Sequence, residues 1–283
     1  MSRKYFDPQR VPKTPFVPHI PGAFDATDLP ASSDFSSLVT IRDQGTKGSC
    51  TGFGLTGQYE VARAVAGYPH RGMLFSPEFM YDEESAKEGH PGQDTGAVPT
   101  DGLAIAQHIG FCPEEFDRYT DTEMERPTAK QIAAAKNYRI KSWSPVARIA
   151  SSDPRTALTP ALRLLAQKRP LAIAILVHQS FENATGGIIP IPTANDPLAG
   201  GHCMFLCGNQ DDPSFAGGGY GLAANSWSEA WGAAAGGHKG GFAKIPYAYL
   251  YDGPLTLGMW SIELFPYPKP KAQGAFWQRL FGR

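Results

Sequence analysis

The sequence predicts an α+β fold, with helices gathered mainly in the first half and strands mainly in the second. Three observations carry that expectation. Before about residue 137, apolar residues recur at helical spacing in several stretches. After it they come in short runs broken by glycine and proline. The 31 glycines and 25 prolines imply many loops around a mixed core rather than a helical bundle.

Residues 1–37 are rich in proline (Pro8, Pro12, Pro15, Pro18, Pro21, Pro30) and hold no sustained period. They read as an extended strap over the surface, or over a substrate cleft. Ser49 then stands as a helix cap before Phe53, Leu55, Tyr59, Val61, Ala62 and Val65, a helical stripe that stops at Gly67. Ser76 and Pro77 open a second helix. A third runs from Leu103 to Ile109 and closes at Gly110. After a charged stretch, residues 131–136 read as helix and residues 138–143 as strand. An amphipathic helix over residues 157–168 precedes a buried strand from Leu171 to Val177. Residues 201–208, 219–224, 241–245 and 257–264 complete the strands.

Composition narrows the function. With 26 basic and 27 acidic side chains, the net charge of −1 offers no basic face to nucleic acid or to an anionic membrane. The longest apolar run, Leu171 to Val177, is far short of the ~20 residues a membrane span needs. The first residues lack the apolar core of a signal peptide, and four cysteines do not make a disulfide framework. Both suit a cytoplasmic protein, or one exported without such a signal.

The most informative segment is Gln44-Gly-Thr-Lys-Gly-Ser-Cys50. A cysteine in the first turn of a helix meets unsatisfied N–H groups and the positive end of the dipole, which lower the thiol pKa. Gly48 lets the chain turn ahead of Ser49 and present the thiol. Gln44 could set an amide beside the Cys50 N–H, giving two donors for an oxyanion. Taken alone, Cys50 is as readily a small buried residue. His202, backed by Gly200 and Gly201 at a strand start, can project into a cleft and take a proton. Asn225 can orient an imidazole, and Trp227 can keep water from that bond. A lone histidine is usually structural and Asn-Ser is a common turn, so each piece is weak. Their order and spacing are not.

His202, Cys203 and Cys207 also raise metal binding. On a strand, positions 203 and 207 point one way and 202 the other, and no Cys-x-x-Cys occurs, so the expectation is no metal and no cofactor.

Together these segments resemble the papain and cathepsin family of cysteine peptidases. The ~150 residues between Cys50 and His202 suit that family. Leu74-Phe-Ser-Pro-Glu78, Gly110-Phe-Cys-Pro-Glu114 before Tyr119, Trp231-Gly232 and Ile245-Pro-Tyr247 extend the match over most of the chain, closest to short bacterial members. The resemblance implies a two-lobed fold with a helical lobe, an antiparallel barrel-like lobe and the cleft between them. Residues 38–265 would form the peptidase domain, the lobes covering about 45–137 and 138–262, with a C-terminal tail over 266–283. It implies peptide-bond hydrolysis of a peptide or protein substrate, with Cys50 and His202 as a thiolate–imidazolium pair. Asn225 would orient the histidine, Gln44 would line the oxyanion hole, and Trp227, Ser49 and Gly48 would support them. A silent peptide-binding shell, or acyl transfer to an amine, would use the same residues.

Several positions depart from the family pattern. Thr51 replaces a tryptophan, and Lys47 stands where secreted members carry a disulfide cysteine. Cys203 fills a small apolar site after the histidine, and Asn209-Gln210 replaces a Gly-Tyr pattern. Ser228 occupies the place of a glycine after Trp227, and residues 233–238 form an added loop. The family's long helical propeptide is expected to be absent.

Overall fold

The structure is a computed structural model that describes residues 5–12, 16–17, 28–68, 72–122 and 124–266. Parts of the proline-rich strap, residues 1–4, 13–15 and 18–27, and nearly all of the C-terminal tail lie outside the described residues.

Three helices lead the chain: α1 (Cys50–Val65), α2 (Pro77–Lys87) and α3 (Pro99–His108). Ser76 caps α2 as its sequence suggests, its hydroxyl accepting the Phe79 N–H at 2.9 Å. The third helix starts at Pro99, ahead of the expected Leu103, because proline at the first position needs no N–H partner. A short α4 (Ala129–Ala135) opens with a capping box between Thr128 and Gln131. The helix expected over 157–168 is interrupted at Leu158, leaving α5 at Thr159–Ala166.

An eight-stranded sheet fills the second half. Its strands are β1 (Ser32–Asp34), β2 (Ile140–Pro145), β3 (Leu171–His178), β4 (Leu198–Asp211), β5 (Gly219–Ala224), β6 (Ala233–Ala235), β7 (His238–Pro246) and β8 (Thr256–Leu264). The order is β2-β8-β3-β4-β5-β7-β6, with β1 added on β4, and every pairing is antiparallel. The sheet runs between two end strands and does not close, so the expected barrel-like lobe is an open antiparallel sheet. The added loop at 233–238 is the β6–β7 hairpin.

Residues 50–59 of α1 are all buried, as expected for a helix packed on every side. Its glycines make that possible. A Cβ at Gly57 would run into the Phe205 ring of β4, and one at Gly54 would lie 2.8 Å from the Cys203 sulfur. Glycine costs a helix ~0.5–1 kcal/mol per site, here in exchange for direct contact of α1 with the sheet. Gln58 ties the helix to that sheet by donating to the carbonyls of Pro170 and Trp260. The middle of α1 is thereby held against the strand that carries His202.

Candidate active site

Ser49 occupies the residue before α1 but does not cap it. Its φ and ψ are −87° and 20°, and no side-chain cap bond forms. Its hydroxyl lies 2.8 Å from Tyr119 Oη, which donates its single proton to the Gln44 carbonyl at 2.7 Å. Ser49 is therefore the donor to Tyr119, and the first N–H groups of α1 are left to the thiol. The backbone N–H groups of Cys203, Thr51 and Cys50 itself act to lower the pKa of the Cys50 thiol.

Those donors do not win. Cys50 is fully buried, and desolvation pushes its thiol up to about 12, with the Glu84 carboxyl adding to the rise. The sequence led us to expect a lowered value. The helix terminus is present as expected, but removal of water outweighs it in this closed arrangement.

Gln44 makes three further bonds. Its N–H donates to the Ser226 carbonyl at 2.9 Å, its Oε1 accepts the Ser226 hydroxyl at 2.6 Å, and its Nε2 donates to the Lys47 carbonyl at 2.8 Å. An amide nitrogen carries two protons, and Lys47 uses one of them.

His202 sits on β4 opposite Ile175 of β3 and is fully buried. Its Nε2 lies 2.8 Å from Asn225 Oδ1 at the end of β5. That carbonyl oxygen can only accept, so the imidazole proton is on Nε2. The Ser226 N–H also donates to Oδ1, which fixes the amide orientation. Trp227 lies 4.9 Å from the imidazole, centroid to centroid, and is itself enclosed by Phe181 and Trp231. Ser228 adopts φ 60°, a left-handed conformation that suits the glycine the family pattern has there.

The lysine and threonine departures have structural counterparts. Lys47 Nζ pairs with Glu78 Oε1 at 2.5 Å, both side chains nearly removed from water. Thr51 donates to Glu84 at 2.5 Å, and burial drives that carboxyl well above its ordinary pKa. The Gly48 N–H donates to Asp94 Oδ1 at 2.9 Å. The parts played by Glu78, Glu84, Asp94 and Tyr119 were missed from sequence, because a carboxyl or phenol group reads the same there whether solvated or paired.

The strand alternation used to separate the cysteines from His202 does not run through position 207. A bulge between Leu206 and Gly208 interrupts it. Cys203 packs on Gly54, whereas the Cys207 thiol contacts the Leu222 carbonyl at 3.5 Å. All four cysteines are free thiols, and among the described residues no cluster could hold a metal. No described helix is long and apolar enough to cross a membrane.

Residues 5–12 cross this site. Phe6 forms an antiparallel bridge with Gly201, the residue before His202, through bonds of 3.1 and 3.0 Å. Phe6 is 1% exposed. A Cβ at Gly201 would collide with its ring, and one at Gly96, on the α2–α3 side, would stand 2.6 Å from its Cα. Tyr5 hydrogen-bonds Glu182 and lies nearly perpendicular to the His202 ring, with centroids 6.2 Å apart. Arg10 pairs with Glu88 at the end of α2.

Known proteins share this fold. Residues 20–240 match the papain family cysteine protease profile. Xylellain, a cysteine protease from Xylella fastidiosa, superposes with a TM-score of 0.71 at 26% identity, over 90% of this chain and 98% of that one. Digestive procathepsin L 3 from Tenebrio molitor shares the fold, with a TM-score of 0.64 at 18% identity over 89% and 76% of the two chains. Cathepsin B-like CP2 of Giardia intestinalis is 24% identical over 217 residues, 74% of this chain and 68% of that protein. The profile spans most of the chain, and the fold agrees with it. This chain belongs to the papain family of cysteine proteases.

Proposed function

We propose that Cys50 is the nucleophile of this cysteine peptidase and that His202 moves its proton. With the Nε2 proton held by Asn225, Nδ1 is the nitrogen that exchanges with the thiol. The thiolate attacks the peptide carbonyl carbon, and the imidazolium protonates the leaving amine as the C–N bond breaks. Water, deprotonated by the imidazole, then cleaves the thioester and restores the thiol. The Cys50 N–H and the second Gln44 Nε2 proton stabilise the oxyanion in both steps. The observation that carries this reading is the 2.8 Å contact between His202 and Asn225, on a strand packed against the first turns of α1.

In the same proposal residues 38–265 form the peptidase domain and the strap within residues 1–37 restrains it. Residues 5–12 pair with the strand edge beside His202 and touch the opposite wall at Gly96. The fully buried Cys50 and His202 fit a closed state that must open before substrate enters.

The test is hydrolysis of a casein digest and alkylation by iodoacetamide, followed by intact mass. Cys50→Ala should abolish both turnover and the selective adduct, and His202→Ala should abolish turnover in a folded protein. Turnover that survives Cys50→Ala would sink the assignment.

A further inference from the structure

The segment from Lys47 to Cys50 serves both oxyanion donors. The Lys47 carbonyl orients the Gln44 amide, and the Cys50 N–H is the second donor. No regular secondary structure holds residues 44–49, so something else must fix their position. Two carboxylates do so from the α2 side. Glu78, in the first turn of α2, grips the segment through Lys47 Nζ at 2.5 Å. Asp94, beyond α2, accepts the Gly48 N–H at 2.9 Å and the Tyr81 hydroxyl at 2.7 Å on one oxygen. Tyr81 Oη in turn accepts the Gly96 N–H at 2.9 Å, which anchors Asp94.

We propose that Asp94 and the Lys47–Glu78 pair are positioning residues for the oxyanion hole, acting through the backbone of Lys47, Gly48 and Cys50. This rests on the assignment of Gln44 and Cys50 made above. A buried ion pair adds little net stability over an apolar pair of the same size, so the worth of this one lies in where it holds Lys47. Oxyanion donors must lie ~2.7–3.1 Å from the developing charge, and a displacement of ~1 Å can cost ~100-fold in rate. Where the family pattern places a disulfide cysteine, this chain has a lysine, and its four cysteines are free. Charge-assisted bonds therefore fasten the segment without a covalent link.

The experiment is a double-mutant cycle on a peptide aminomethylcoumarin substrate, in the full-length chain with and without Phe6→Ala, because Asp94 also borders the strap. Asp94→Ala should lower kcat ~10–100-fold with KM changed less than ~3-fold. Asp94→Asn should restore most of it, since an amide oxygen still accepts the Gly48 N–H. In a Gln44→Ala background, Asp94→Ala should cost at least ~3-fold less than in the parent, because one of the two donors it helps to place is gone. Alkylation of Cys50, which builds no oxyanion, should stay within ~2-fold of the parent rate. If Asp94→Ala proves unfolded, Lys47→Met with Glu78→Gln removes both buried charges together and should show the same pattern.

Full multiplicative loss in the Gln44→Ala background, or equal loss of alkylation, would overturn the proposal in favour of a general structural role. Unchanged kcat in Gln44→Ala alone would remove the oxyanion assignment itself, and the proposal with it. That result is separable from failure of Asp94 because Gln44 is changed alone.

Discussion

The two sides of the site are held by different physics. His202 and Asn225 ride on β4 and β5, where the ladder sets their register and Trp227, Phe181 and Trp231 fill the space behind. Gln44 and Cys50 depend on side chains instead: Ser226, Tyr119, Glu78 and Asp94 each supply a bond to the segment ahead of α1. A strand shares its geometry among many backbone bonds, so one substitution moves it little. A loop held by single polar contacts yields at each of them. His202 and Asn225 are therefore the rigid half, and the segment ahead of α1 the half sensitive to local change.

The largest test breaks the rigid side chemically without moving the strand. Asn225→Ala should lower kcat by ~100-fold, because the imidazole loses its fixed tautomer, while thermal unfolding changes little. An unchanged kcat in steady-state assays would mean that Trp227 and the strand hold His202 without the amide.

A smaller effect is expected across the cleft, where residues 5–12 join the two sides. Burying a phenylalanine is worth roughly 2–3 kcal/mol, so Phe6→Ala should raise kcat/KM at least ~10-fold if the strap restrains the site. Burial holds the Cys50 thiol near 12, so in the parent chain the alkylation rate should keep climbing through pH 9. Admitting water removes part of that burial, so in Phe6→Ala the rise should move to lower pH. Identical alkylation profiles for the two proteins would show that residue 6 does not control access.

The smallest effect sharpens the loop side. Asp82 lies beside Glu78, and burial, with that neighbouring carboxylate, raises its pKa to about 8. The unfolded chain ionises it near the usual value of ~3.9. Between those limits the unfolded state has lost a proton that the native state keeps, so stability falls as pH rises. Asp82→Asn should leave stability near pH 4 almost unchanged and raise the melting temperature at pH 8 by ~2–4 °C. A parallel pH slope in both proteins, measured by calorimetry, would contradict the raised value.

Much of this was legible in the sequence. Ser76-Pro77 announced α2, the run from Leu171 announced β3, and Gln44, Cys50, His202 and Asn225 stood in a recognisable order. Other features were not legible, each for a physical reason. The hydroxyl of Ser49 chose Tyr119, some 70 residues away, over the local cap. The bulge at Leu206–Gly208 reversed an alternation that a strand pattern takes for granted. That the sheet stays open depended on its end strands not meeting, a matter of global twist rather than of local propensity.

What the sequence determined by itself is the class of chemistry and the order of the functional groups proposed to carry it. A thiol at a helix start, an imidazole and an orienting amide are defined by functional groups, which the one-dimensional order preserves. Tertiary structure decided their environment: the pKa of the thiol, the partner of Lys47, the anchor at Asp94 and the residue laid against Gly201. Desolvation and hydrogen bonding act over a few ångströms between residues far apart in the chain, and only the folded packing sets those distances.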